Sequence, residues 1–258
     1  MKPSKKSKKE IALLREGGKI LSDTLRILAE KSQEAVNSEL STKTLDEIAR
    51  AEIAKRKAEP SFLNYAADGE NGFPGAVCIS LNNEIVHGVP SEKRFIKEGD
   101  LLKLDLGIKY KGLFTDSAIT VSIGKVSELA QRISDVTKKS LEIGLEQIYH
   151  GSCVGNFGNA VENYVTSTKF HIVRGLVGHG VGYEVHEAPQ IPSYGKPGKG
   201  VRFEEGMVIA LEPMVNELSS EISLAPDGFT FETQEGGLSA HFEHTMAVTK
   251  NGFELLTK

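Results

Sequence analysis

The chain has 258 residues, with 31 Lys and Arg against 35 Asp and Glu for a formal charge of −4, 39% hydrophobic residues and 2 Cys. A soluble globular chain of this length buries about 70–75% of its unfolded surface without covalent staples, so a disulfide scaffold is excluded; Cys78 and Cys153 form no CxxC pair, which fits a reducing compartment and argues against thiolate zinc sites. With +4 on the first ten residues and −8 on the remainder, a general attraction to nucleic acid is excluded as well.

In chain order, residues 1–7 form a basic stretch expected to be a flexible, solvated tail, a weak contact with RNA being the alternative. The short apolar run Ile11 to Leu14 is broken by Arg15 and Glu16, so it is no signal peptide, and no run of about 18 apolar residues predicts a membrane span. A cytoplasmic protein is expected. Ile11, Leu14, Ile20, Leu21, Leu25 and Leu28 predict a long amphipathic helix over residues 8–30, and Ser41 is a plausible N-cap for a second helix from Thr44 to Lys57. Val77 to Leu81, Glu84 to Val89, Leu101 to Ile108 and Phe114 to Ile123 read as strands separated by Asn-Asn or Gly-containing turns. The pattern then repeats. A helix over Ser127 to Ile148, a break at Gly151 to Gly158, a helix over Asn159 to Thr168 and further strands, among them Met207 to Leu211 and Phe242 to Thr249, imply a duplicated organisation, with loops at Gly178 to Gly182 and Ile191 to Gly200. Helices before strands, twice, predict an α+β fold of antiparallel sheets covered by helices, in one domain spanning residues 1–258.

Several polar residues interrupt apolar segments. A tight hairpin centred between Tyr110 and Lys111 places Asp105 directly opposite Asp116, and a one-residue shift of the loop makes them diagonal neighbours. Like charges facing one another destabilise a ladder, so a cation between them, or a proton on one, is implied. Glu212 ends Met207 to Leu211 and precedes Pro213; Glu243 opens the last long strand; His179 stands between Gly178 and Gly180, with His186 seven positions on. Singly, each has an ordinary explanation in a solvated carboxylate or a hydrogen-bonded histidine. As a set they supply four carboxylates and an imidazole without thiolates, which suits hard to borderline divalent cations, and four negative charges balance two such ions. A paired-metal site of this kind performs metal-assisted hydrolysis.

The ordered series His87-Gly-Val-Pro, Asp105, Asp116, Gly178-His179-Gly-Val-Gly, His186-Glu-Ala-Pro, Glu212-Pro-Met-Val and Ser239-Ala-His-Phe-Glu243-His resembles the methionine aminopeptidases of the pita-bread fold, over nearly all of residues 8–256. The short interval from Glu212 to Glu243 resembles type 1 enzymes, and the duplicated organisation agrees with that fold's pseudo-twofold halves. The resemblance implies Asp105, Asp116, His179, Glu212 and Glu243 as ligands of two divalent ions (Mn²⁺, Co²⁺ or Fe²⁺). It implies His87 and His186 as histidines on the scissile peptide, Glu212 also as general base, and Tyr65, Phe73, Cys78 and Phe229 as the methionine pocket. Core packing is the equal alternative for Cys78 and Phe229. Implied substrates are N-termini of nascent polypeptides with a small second residue, met by a monomer near the ribosome without specific nucleic-acid or membrane binding. Three departures stand out: a longer loop at Ala66 to Gly72, Phe229 where tryptophan is common and His241 where glutamine is usual. The rivals are a prolidase or aminopeptidase P, from which the chain differs by lacking an extra N-terminal domain, and a non-catalytic protein- or RNA-binding relative, which would have lost ligands that are all present here.

Overall fold

The computed structural model describes residues 2–66 and 71–258. Apolar residues at three- and four-residue spacing make Lys8–Ser32 an amphipathic helix, α1, started by a reciprocal capping box between Ser7 and Glu10. Ser41 caps α2 (Thr42–Lys55) by accepting from the Thr44 amide, so this helix lies two residues earlier than its pattern suggests. Strands β1 (Cys78–Leu81), β2 (Glu84–Val86), β3 (Leu101–Tyr110) and β4 (Leu113–Ser122) follow. Helices α3 (Glu128–Leu145) and α4 (Val154–Ser167) then precede the second set of strands: β5 (Gly178–Gly180), β6 (Glu187–Ile191), β7 (Val208–Leu211), β8 (Met214–Asn216), β9 (Ile222–Leu224), β10 (Phe231–Thr233), β11 (Ser239–His241), β12 (His244–Thr249) and β13 (Gly252–Leu255). Two-residue strands add further rungs, and every pairing among the described residues is antiparallel.

Each helix pair covers one half. Leu102, Leu104, Leu106 and Ile108 alternate along β3 and pack with Leu21, Leu25 and Leu28 of α1 and Leu45, Ala49 and Ile53 of α2. In the second half Ile133 of α3 and Phe157, Val161 and Val165 of α4 meet Ile209, Leu211, Val215, Met246 and Val248. The five-stranded sheet there runs in the order β6, β5, β7, β12, β13. The alternate residues of β3, Lys103, Asp105 and Gly107, turn to the opposite face, and Leu101 to Ile108 are all buried. A strand covered on both faces can afford no solvated carboxylate, so the site is a consequence of the layering.

Besides such shifts of element ends, four expectations change in the structure. The β3–β4 hairpin turns at Lys111-Gly112, pairing Asp105 with Ala118 and Gly107 with Asp116. The two aspartates are therefore diagonal and on one face, the alternative that a shifted loop provides. Residues Gly155 and Gly158 do not break α4; added Cβ atoms there would lie 2.2 Å from the Lys196 carbonyl and 2.3 Å from that of Tyr194, so glycine serves close packing of the following loop. Part of the stretch expected as a loop at Gly178 to Gly182 is strand β5, where glycines allow the neighbouring strands to approach His179 closely. The basic tail is not wholly solvated either: Lys6 is buried and ion-paired, because Glu187 waits for it beneath the surface.

Gly18 shows how tightly α1 is seated. A Cβ there would stand 2.2 Å from the Leu256 carbonyl oxygen. Alanine ordinarily strengthens a helix interior by about 1 kcal/mol over glycine, whereas overpacking against backbone costs about 1–3 kcal/mol. Gly18→Ala is therefore expected to lower the Tm in a thermal melt, by about 2–4 °C per kcal/mol of net loss; an unchanged or higher Tm would show that the C-terminal segment yields freely.

Candidate metal centre

The site forms where the two halves are laced together. Ala118 of β4 and Glu243 exchange backbone hydrogen bonds of 2.9 and 3.3 Å, and Thr245 of β12 accepts from the Asp116 amide (2.9 Å) while donating to the Asp116 carbonyl (2.7 Å). Thr120 and His241 are joined in the same way. These bonds hold Asp116 and Glu243, which are 127 positions apart in sequence, in one place. Strand β7 pairs Leu211 with His244 and β8 pairs Met214 with His241, so Glu212 and Glu243 face one another across the gap that Pro213 opens in the ladder. His179 is paired with Ala210, two residues before Glu212, and its Nε2 reaches 3.5 Å from Glu212 Oε1.

The eleven residues that the sequence singled out all line one cavity of about 440 Å³. At its floor are Asp105, Asp116, His179, Glu212 and Glu243; donor atoms of Asp116, His179 and Glu243 lie within 4.8 Å of one another. His179 Nδ1 donates to the Gly180 carbonyl (2.9 Å), since a carbonyl only accepts, which leaves the Nε2 lone pair of the neutral ring on the cavity side. His186 stacks edge-on against His179 with centroids 4.5 Å apart, and its Nδ1 is 2.7 Å from the Tyr65 hydroxyl. His87 ends β2 with a φ of +59°, which cuts short the strand expected to reach Val89, and its ring meets Phe231 edge-on at 5.8 Å.

The electrostatics are those of buried acids without a cationic side chain, for among the described residues no lysine or arginine lines the cavity. Burial pushes the Asp105 carboxyl up to about 7, against a hydrogen bond with Asp116 that lowers it. Burial and then neighbouring carboxylates push Asp116, Glu212 and Glu243 well upward. Burial holds His179 near 3 and His87 near 4, so both rings are neutral. Asp116 Oδ1 is buried without a hydrogen-bond partner. Buried carboxylate oxygens, one imidazole lone pair and an orphaned acceptor fit a divalent cation.

Residues 12–250 match metallopeptidase family M24. The chain belongs to that family. As an M24 metallopeptidase it shares 42% identity over 253 residues with methionine aminopeptidase 1 of Bacillus subtilis, covering 98% of both chains. The solved methionine aminopeptidase of Thermotoga maritima superposes with a TM-score of 0.92 at 35% identity, each chain covered in full. The prolidase of Pyrococcus horikoshii gives 0.76 at 23% identity, with 98% of this chain but 63% of that one covered, and shows the shared fold alone. Family M24 carries divalent-metal hydrolysis, and the pita-bread architecture of these relatives is the one described here.

Above the floor of the M24 site, Tyr65, Phe73, Cys78 and Phe229 form an apolar wall with Phe62 and Val185; Phe73 and Phe229 meet edge-on at 5.7 Å. Cys78 faces Asp105 directly across the β1–β3 ladder, and burial pushes its thiol pKa well up, so it stays a soft apolar liner. Sequence reading missed Phe62, Leu224, Asp227, Gly228 and Phe231 in the lining. Phe231 opens β10, two positions after Phe229. The loop at Ala66 to Gly72 contributes Ala66 and Asn71 to the rim; its residues 67–70 lie outside those described. His241, buried with neither ring nitrogen hydrogen-bonded, points Nε2 to within 3.7 Å of Glu212 Oε2, and burial, then His87 and Lys103, hold it near 3. Lys103, also unforeseen, is buried beside this layer and donates to the Asn82 carbonyl at 2.8 Å.

Raised carboxyl pKa values mean that the folded, metal-free protein keeps protons that the unfolded chain, with carboxyls near 4, has released. The contribution of these groups to stability is thus complete at low pH and is lost as pH climbs through 7 and above. A bound cation must displace those protons. The rise in Tm produced by a fixed concentration of Mn²⁺ is therefore expected to be larger at pH 8 than at pH 6; an equal rise at both would show carboxyls already ionised without metal.

Proposed function

We propose that this M24 metallopeptidase removes the initiator methionine from nascent polypeptides whose second residue is small. The observation that carries the reading is the joining of an apolar aromatic and thiol wall to a five-residue cluster of metal donors within one cavity. Relatives named methionine aminopeptidase that match along 98% of the chain support it. Asp105, Asp116, His179, Glu212 and Glu243 would hold two divalent ions, with Mn²⁺, Co²⁺ and Fe²⁺ as the candidates. When bound, the ions supply Lewis-acid polarisation of a carbonyl and acidify water.

The side chains do the rest in this reading. The unbranched methionine side chain lies among Tyr65, Phe73, Cys78 and Phe229, where polarizable sulfur and ring edges suit a thioether. The Tyr65 hydroxyl donates to His186 Nδ1, leaving its Nε2–H to donate to the scissile peptide, and neutral His87 donates from the opposite wall. Glu212 takes the proton of the attacking water at its carboxylate and returns it to the leaving amine. Both halves supply donors, so the chain works as one catalytic domain. A monomer acting in the cytoplasm near the ribosome fits this role; among the described residues no helix is long and apolar enough to cross a membrane.

The direct test is hydrolysis of a Met-Ala-Ser peptide by purified protein, with and without Mn²⁺ or Co²⁺. Cleavage should need metal and stop on exhaustive chelation. Leu-Ala should be poorer by roughly 10–200-fold in kcat/KM because of its branch, norleucine-Ala should lose less, and Met-Lys should be rejected. Preferred cleavage of Ala-Pro would overturn the reading in favour of a proline-directed peptidase.

Mutations separate the roles. Glu212→Gln should lower kcat by at least about 10²-fold. His87→Ala should lower kcat with metal content intact by elemental analysis, whereas His179→Ala should lose metal; the reverse pattern would reassign the two histidines.

A further inference from the structure

We infer that residues 4–6 form a strap that positions His186, with Lys6 as its central positioning residue, reached from the outside of the site through Glu187. The inference rests on the proposal that His186 acts on the substrate.

Lys6 places its ammonium 2.8 Å from Glu187 Oε2, with the two side chains 1% and 10% exposed. Ser4 Oγ donates to the same carboxylate oxygen, and Lys6 Nζ also bonds Ser4. The other oxygen, Oε1, accepts from the backbone amides of Tyr183 and Glu184. One carboxylate thus closes the turn from 183 to 187 on itself and ties it to the N-terminal segment, and His186 is the residue directly before it. The strap is fixed independently at its backbone, where the Lys6 amide donates to the Gly206 carbonyl at 2.7 Å. The Lys6 ammonium also lies 4.8 Å from the centroid of the Tyr183 ring, whose hydroxyl donates to Glu10 of α1 at 2.9 Å. Gly182 leaves the passage open: a Cβ there would stand 2.3 Å from Lys6 Cε.

Packing does not explain this arrangement. Of residues 2–7 only Lys6 is buried, so the segment brings little apolar surface under cover and is held by charge and hydrogen bonds. Burying an ammonium is costly unless a counter-charge receives it, and the carboxylate that receives it is the one gathering the amides of the His186 turn. On the cavity side the imidazole is already held by Tyr65 and His179. Glu187 supplies the outer restraint, and Lys6 keeps Glu187 inside. Loss of the ammonium leaves a part-buried carboxylate unpaired, which releases the Tyr183 and Glu184 amides and lets the turn shift. A displacement of about 1 Å in a positioning element costs up to about 10²-fold in rate.

The experiment is a double-mutant cycle on the full chain, loaded with Mn²⁺ and assayed on Met-Ala-Ser. Lys6→Met keeps the apolar stem and removes the charge. It is expected to lower kcat by about ten-fold, with KM and metal content within about twofold of the parent, and to cause no further loss in a His186→Ala background. The pair Lys6→Met with Glu187→Gln removes both charges while the amide oxygen still accepts from Tyr183 and Glu184; it should recover most of the lost kcat. Should Lys6→Met alone fail to fold, that pair and the milder Ser4→Ala carry the same cycle, Ser4→Ala with a smaller loss that again vanishes without His186. Equal fold-losses with and without His186, or an unchanged kcat in Lys6→Met, would overturn the strap. A His186→Ala variant with parental kcat would instead overturn the role of His186 on which the inference rests.

Discussion

The backbone pairing of Ala118 with Glu243, buttressed by Thr245 on Asp116 and Thr120 on His241, is the constraint on which the molecule depends. Each half has its own helix-covered core, and the halves also meet where β10 pairs with β2 and where Leu14 and Leu113 pack with Val208, Ala210 and Ala247. Of these joins, the lacing along β4 is the one that lies at the polar face of β3 and β4. Acids from both halves are forced together there because the strands that carry them are tied, so no acid can move away without breaking the join. The repulsion is borne by the cooperative stability of both cores.

That placement makes the interior unusual in composition. Lys103, Asp105, Asp116, Thr120, His179, His241 and Glu243 are all buried in the layer between the two cores. An orphaned Asp116 oxygen and an unpartnered His241 ring are costs of roughly 1–3 kcal/mol each in an ordinary interior. Both stand beside the carboxylates of the cavity, where a divalent cation of the kind that family M24 uses would be held. Lys103, two residues before Asp105 on the same face of β3, donates to the Asn82 carbonyl, and burial pulls its pKa down to about 7, so it supplies no full counter-charge to the acids. The apolar wall lines the same cavity, and its Cys78 is fixed relative to the acids by the β1–β3 ladder that pairs it with Asp105.

Much was determined by the sequence alone. Periodicity and local pattern located the four helices and the long strands, because α1, α3 and β3 bury continuous apolar faces, and the capping residue Ser41 marked the approach to α2. Polar residues interrupting apolar segments singled out Asp105, Asp116, Glu212, Glu243 and His179, since a carboxylate amid buried leucines demands a counter-charge. The ordered motifs supplied His87, His186 and the pocket residues.

The tertiary structure alone decided everything that depends on distant segments meeting. The diagonal register of Asp105 and Asp116 follows from where the hairpin turns, which the residues around Tyr110 to Gly112 left open. Glycines at 155 and 158 read as helix breakers until the loop packed upon them supplied another reason for lacking a Cβ. The opposition of Glu212 and Glu243 arises from one register continuing across a break at Pro213. The burial of Lys6 was invisible for the same reason: a lysine among lysines looks solvated, and its fate is set by a carboxylate 181 positions away in the chain. Local pattern encodes which face of an element is apolar; only the packing of one element on another determines which charges must share the same interior.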